Sequence, residues 1–257
     1  MNSTILLVGH GSRNIAGNQE IEQFTQQWRE SNPRWNIELC FIEFSDALLD
    51  NTLEKVGKQA QRVIVIPLIL NAAGHVKEEI PEYIDHARAK FPQCEFVYAP
   101  HLGACEDILQ ILRRRLSAGM KDLDMPDPST TGVILLGRGS SDMHANGEVA
   151  KMARWLQEDC FNRNAQHTLV DIAFTGITYP RLERVVQRHV QLGMMQIAIL
   201  PYYLFTGVLV ERIQRQVEHL QQQYPQVRFH CGTYFGFEPE IFSLLNQRAT
   251  AMEEEIA

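Results

Sequence analysis

Three residues of metal-ligand type in this 257-residue chain each follow an apolar run of strand length. "LLVGHGSRN" sets His10 after the first run, "IELCFIE" ends on Glu43, and "LILNAAGH" sets His75 after a third. In a parallel α/β sheet, ligands bind beyond the carboxyl ends of the strands, where such residues can converge. Two imidazoles and a carboxylate suit a divalent ion such as iron, cobalt or nickel. A set that leaves coordination positions open suits chemistry rather than structure. A lone histidine after a strand is ordinarily a packing or capping residue. The pair, at two strand ends beside a carboxylate, reads as a site.

The chain also carries its own comparison. "ILLVGHGSRN" at 5–14 returns as "VILLGRGSSD" at 133–142, with Arg138 in place of His10 and Ser140 in place of Ser12. "VIVIPLIL" at 63–70 returns as "IAILPYYL" at 197–204, and His75 then falls opposite Leu209. "NTLEKV" is matched by "PRLERV", and "HLGACEDIL" by "YFGFEPEIF". Glu43 falls opposite Ile172 in a loose stretch of this alignment, one residue from Asp171. Ordered matches at near-constant spacing are the mark of an internal duplication. The second copy lacks both imidazoles, so the first is expected to handle the metal. Arg138 suits a carboxylate, which a guanidinium grips with two N–H groups. Ser12 and Ser140 read either as helix N-caps or as part of an anion site at a helix start. His101, Glu78 and Glu79 are weaker candidates for the site. His86, His144, His189 and His219 read as surface residues.

The elements that must position these residues alternate strand and helix. Strands are expected at 4–9, 37–44, 62–70 and 95–98. An amphipathic helix follows each, the first on a stripe of Ile21, Phe24 and Trp28, the third starting near Ile80 because Pro81 is tolerated in a first turn. The polar, proline-bearing stretch 121–131 reads as a linker. Strands then recur at 132–137, 168–174, 196–205 and 227–231, and a last helix starts near Glu238. The expected fold is α/β: two similar lobes, 1–120 and 132–257, each a parallel sheet of about four strands flanked by helices. The lobes are expected to face one another across a cleft.

Composition narrows the class. Hydrophobic residues make up 45% of the chain, enough for a large core, and the net charge is −7. No basic stripe speaks for nucleic acid. No apolar run reaches the ~18 residues of a membrane span, and the N-terminus does not read as a signal peptide. The five cysteines form no C-x-x-C pair, which argues against a disulfide framework, a thiolate zinc site or a cluster and fits a reducing cytoplasm.

"LLVGHGSR", the glutamate after the second strand, "PLILNAAGHVKEEIP", "GRGSSD" and "LPYYLFTGVLVERI" together resemble the sirohydrochlorin chelatases, in their long two-lobed form, over nearly the whole chain. The resemblance implies an ATP-independent, class II chelatase that inserts Co(II) or Fe(II) into sirohydrochlorin, for cobalamin or siroheme synthesis. It makes His10 and His75 the metal-handling and catalytic pair, with Glu43 assisting. No cofactor is implied beyond the substrate metal. The many carboxylates of the tetrapyrrole call for donors, for which Ser12, Arg13, Arg138 and Ser140 are candidates. The chain ends in "AMEEEIA", without the histidine-rich tail and cysteine motif of some long members, so no cluster is assigned and the metal stays open. Monomer and homodimer both stay open. A tetrapyrrole or metal carrier without turnover would use the same ligands. A hydrolase or phosphoryl-transfer reading lacks a G-x-S-x-G or Walker pattern.

Overall fold

The computed structural model describes residues 3–123, 127–162 and 169–254. Eight strands and eight α-helices alternate among them: β1 (Ser3–Gly9), α1 (Ile15–Ser31), β2 (Asn36–Phe41), α2 (Leu49–Gly57), β3 (Arg62–Pro67), α3 (Ile80–Lys90), β4 (Glu95–Tyr98), α4 (Glu106–Asp122), then β5 (Thr131–Gly137), α5 (Met143–Asn162), β6 (Leu169–Phe174), α6 (Leu182–Gln191), β7 (Gln196–Pro201), α7 (Val208–Gln223), β8 (Arg228–Cys231) and α8 (Pro239–Glu254). They build two four-stranded sheets of order β2-β1-β3-β4 and β6-β5-β7-β8, and every pairing is parallel. The expected α/β class and the duplication are both borne out.

Parallel sheets covered on both faces need strands that are apolar throughout. β3 and β7 are buried along their whole length. In the first unit, Leu6, Val8, Val63 and Val65 pack one face of the sheet against Leu53 and Val56 of α2 and Ile84 and Ala87 of α3. The predicted stripe of α1 is buried at Ile21, Phe24 and Trp28. Hiding a side chain such as Phe24 contributes about 2 kcal/mol. The second unit repeats this with Ile134, Leu136, Ile197 and Ile199 against α6 and α7.

The compact units do not follow the expected cuts. One comprises residues 1–103 with 237–257, the other residues 104–236. The last helix of each repeat therefore packs on the opposite sheet. In the first unit, Phe242 of α8 stacks on Phe24 with ring centroids 4.3 Å apart. Trp28 Nε1 donates to Asn246 Oδ1 at 2.8 Å, and Arg62 donates to the Met252 carbonyl at 2.7 Å. In the second unit, Arg113 of α4 pairs with Asp159 of α5 at 2.8 Å, and Gly119 lies against the His230 ring. An amphipathic stripe states that a helix is covered, not which sheet covers it.

Other boundaries shift for local reasons. The second strand stops at Phe41 rather than 44, and the bend that follows turns left-handed at Phe44, φ 57°. β3 stops at Pro67, which has no N–H to continue the ladder. Within the expected linker, α4 runs to Asp122, a 3₁₀ turn covers Pro128–Thr130, and residues 124–126 lie outside the described residues, as does Thr168 of the expected sixth strand.

Candidate metal centre

The loop after β1 is folded back on the loop after β2. Ile42 N–H donates to the Gly9 carbonyl at 3.0 Å and Glu43 N–H to the His10 carbonyl at 3.1 Å. Gly11 has φ +90°, and a Cβ there would sit 1.7 Å from the Glu43 carbonyl oxygen. No other residue fits that contact. Asn18 ties the loop down from α1: its Oδ1 accepts from Ser12 N–H at 2.8 Å, and its Nδ2 donates to the carbonyls of Ser12 at 3.2 Å and Phe44 at 2.8 Å. Ser12 is not the N-cap. Its hydroxyl accepts from Asn14 N–H at 3.1 Å, and Asn14 caps α1 through Ala16 N–H. Phe44, directly after Glu43, holds a left-handed backbone that costs a bulky side chain about 1–2 kcal/mol.

His75 is positioned by a device the periodicity does not reveal. Residues His75–Glu79 form one π-turn, closed by Ile80 N–H on the His75 carbonyl, ahead of α3. Such turns add one residue to a helix and concentrate at functional sites. Its register brings His75 Nδ1 within 2.5 Å of Glu79 Oε2. From β4, the Tyr98 hydroxyl donates to the Val76 carbonyl at 2.9 Å. Pro81 lies in the first turn of α3, as expected.

The three ligand candidates converge. One ligand atom each of His10, Glu43 and His75 lies within 4.8 Å of the others, and all three side chains are partly buried. Two ligands each ~2.1 Å from one ion can be at most ~4.2 Å apart, so small side-chain rotations close the set on a metal. The imidazoles meet edge to face, centroids 4.7 Å apart at 82°. His10 Nδ1 is 3.5 Å from Glu43 Oε1 and 3.1 Å from the Gly11 carbonyl. An acceptor on Nδ1 fixes the tautomer and leaves Nε2 for a metal. Among the described residues no other His/Cys/Asp/Glu trio converges in this way. Glu78 and His101 stand outside it, and Glu79 reaches it only through His75. Burial raises the Cys40 and Cys94 thiols and pushes Cys231 up to about 11, and none of the three belongs to the converging group.

The second unit keeps the frame and changes the chemistry. Gly176 N–H donates to the Arg138 carbonyl, as Glu43 N–H does to that of His10. Glu43 therefore has Gly176 as its counterpart, not Ile172, because a two-strand register fixes what a loose alignment does not. Gly139 repeats the left-handed turn at φ +87°, Asn146 repeats the clamp of Asn18 on Ser140, and Asp142, not Ser140, caps α5 through His144 N–H. Ala73 to Phe91 spans one residue more than its counterpart, Gly207 to Tyr224, because α7 has no π-turn. At the place of Tyr98 stands Cys231. Arg138 is exposed and matches His10, as expected. Arg181, which matches Leu48, was not foreseen: its Nη1 is buried with no hydrogen-bond partner, and its guanidinium lies 4.7 Å over the Tyr179 ring. His86, His144 and His219 are at the surface, but His189 is fully buried. Its Nε2 lies 2.8 Å from Asp171 Oδ2, which also pairs with Arg188 at 2.7 Å. Burial alone would raise the Asp171 carboxyl, but the His189 and Arg188 hydrogen bonds hold it below its ordinary value.

The sequence held signals for part of what was missed. His75 and Glu79 are four apart, and the Asn18 clamp recurs as Asn146.

Two repeated α/β units, with an imidazole–carboxylate cluster at the strand ends of one, define the class of the two-lobed chelatase fold. The CbiX family model matches residues 4–118 and 132–252, and the chain belongs to this family of sirohydrochlorin chelatases. It is 38% identical over 249 residues to a sirohydrochlorin cobaltochelatase of Priestia megaterium, covering 96% of this chain and 78% of that one. It is 31% identical over 258 residues to a sirohydrochlorin ferrochelatase of Bacillus subtilis, covering 99% and 94%. The solved structure of SirB from Bacillus subtilis with Fe3+ superposes with a TM-score of 0.82 at 29% identity, over 100% of this chain and 97% of that one.

Proposed function

We propose that the protein is a sirohydrochlorin chelatase that inserts Co(II) or Fe(II) into the metal-free tetrapyrrole without ATP, in the cytoplasm, serving cobalamin or siroheme synthesis. The observation that carries this reading is the convergence of His10, His75 and Glu43 within 4.8 Å, which among the described residues occurs in one repeat alone. Its relatives include both a cobalto- and a ferrochelatase, and the ligand set accepts either ion.

The ion is a substrate in this scheme. His10, His75 and Glu43 take the place of water around it and hold it for the macrocycle. As it enters, two pyrrolic protons leave, and the 2+ charge of the metal replaces them. Neutral imidazole, with an ordinary pKa of ~6.5, can accept a proton at neutral pH, so the same two side chains serve as ligands and as bases. Glu43 supports the proton and charge balance beside His10. Ser12 and Arg13 in the first unit, and Arg138 and Ser140 in the second, are proposed as contacts for substrate carboxylates.

The test follows the absorbance of metal-free sirohydrochlorin on addition of Co(II) or Fe(II), against a control without protein. His10→Ala and His75→Ala should each lower insertion at least ~100-fold, the usual scale for losing a proton-transfer group, with the circular dichroism unchanged. Near-normal turnover in both variants would remove the proposed roles. Binding of both ions by the wild type without insertion would make it a carrier. Competing the two metals at limiting concentration identifies the preferred ion.

A further inference from the structure

Phe44 is a large aromatic side chain that the fold leaves 43% exposed, directly after Glu43 of the metal centre. Its place relative to that centre is set by backbone bonds. Glu43 N–H is held by the His10 carbonyl, Gly11 lies against the Glu43 carbonyl, and Asn18 holds the Phe44 carbonyl. The Arg13 guanidinium carbon sits 4.9 Å from the centre of the Phe44 ring. The turn does not need an aromatic residue: in the second unit the same left-handed position, φ 60°, holds Ile177, also exposed. The ring and its cation thus belong to the repeat that carries the imidazoles.

We propose that Phe44 and Arg13 form one composite contact for the tetrapyrrole: the ring packs against the face of the macrocycle while Arg13 binds one of its rim carboxylates. This rests on the chelatase reading and deepens it by naming what grips the macrocycle beside the metal. The match is chemical. The substrate is a conjugated macrocycle edged with carboxylates, and the pair offers a π surface and a guanidinium together. An aromatic platform of this kind gains affinity without demanding a fixed hydrogen-bond pattern. A guanidinium lying over a ring can still offer its in-plane N–H groups to a carboxylate. Tethering Phe44 through the backbone next to Glu43 would set the depth of the macrocycle relative to the waiting ion.

The variant to test is Phe44→Gly, which deletes the ring and suits the left-handed backbone. Phe44→Leu, an aliphatic residue like that in the second repeat, is a further variant that keeps the apolar bulk, and Phe44→Tyr is the rescue. Three quantities are read: KM for sirohydrochlorin in the insertion assay, Kd for metal-free sirohydrochlorin from its fluorescence, and Kd for Co(II) alone. Phe44→Gly and Phe44→Leu should raise KM and the tetrapyrrole Kd by roughly tenfold, on the scale of one lost aromatic stack, and leave Co(II) binding within about twofold. Phe44→Tyr should restore both. Unchanged KM and tetrapyrrole Kd in both variants overturn the contact, as does an equal loss of Co(II) binding, which would make Phe44 a support for Glu43. A wild-type protein that binds sirohydrochlorin through Phe44 but inserts no metal keeps the contact and removes the chelatase reading.

Discussion

Glu79 offers the sharpest test of how the metal centre is built. Its carboxylate accepts from His75 Nδ1 at 2.5 Å, within the π-turn that holds both residues. Replacing Glu79 by Ala keeps the proposed ligand, His75, and removes what orients it. Losing a carboxylate behind a ligating histidine costs 10–100-fold in metal affinity. The two side chains are 36% and 38% exposed, so water takes over part of the role and the effect belongs at the low end, about tenfold or 1.4 kcal/mol. Glu79→Gln keeps a neutral acceptor and should lose less. The assay is a calorimetric titration of Co(II) into each variant, with His75→Ala as the reference for full loss of that ligand. Unaltered affinity in Glu79→Ala beside a large loss in His75→Ala would refute the reasoning. His75 would then bind without its partner, and the π-turn would have no part in orienting the ring.

The matched glycines provide a second test. Gly11→Ala drives a Cβ into the Glu43 carbonyl and should weaken Co(II) binding more than tenfold, whereas Gly139→Ala, clashing with the Gly176 carbonyl at 2.3 Å, should destabilise its own unit by a similar ~2 kcal/mol yet leave Co(II) binding unchanged. Urea unfolding and Co(II) titration read the two effects separately. Asp171→Ala should lower stability by ~1–3 kcal/mol, because the buried His189 ring loses its only hydrogen-bond partner among the described residues, while Asp171→Asn keeps an acceptor and loses less. The Asp171 carboxyl is held below its ordinary 3.8. Its contribution is therefore complete above about pH 4 and lost as pH falls through the lower folded value. The gap between the urea midpoints of wild type and Asp171→Ala should accordingly begin to narrow as pH falls below about 4 and go on narrowing through the lower folded value, and a constant gap would contradict this assignment.

The strands were legible because a doubly covered parallel sheet needs unbroken apolar runs, and β1, β3, β5 and β7 are such runs. His10 and His75 were legible because each follows one, and Glu43 because it closes the strand-length run at β2, and the repeat showed that the frame does not require them. Side-chain partnership between sequence-distant residues was not legible. The burial of His189 depends on Asp171, 18 residues away, and a helical stripe with a histidine looks the same whether that partner exists or not. The π-turn is silent in periodicity, since one added residue only rotates the stripe by a fraction of a turn. The destinations of α4 and α8 were equally hidden, because the same amphipathic face serves either sheet.

That exchange of helices bears on how the protein is made. The sheet that carries His10 is translated before the second sheet, yet Phe24, Trp28 and Arg62 wait for residues 239–254 to cover them. The half that carries His10 must stay incomplete on the ribosome until residues 239–254 have been translated, with aromatic surface bare in the meantime. A gene split between the repeats would yield two fragments, each missing a wall and carrying a surplus helix, which should recover structure only when mixed.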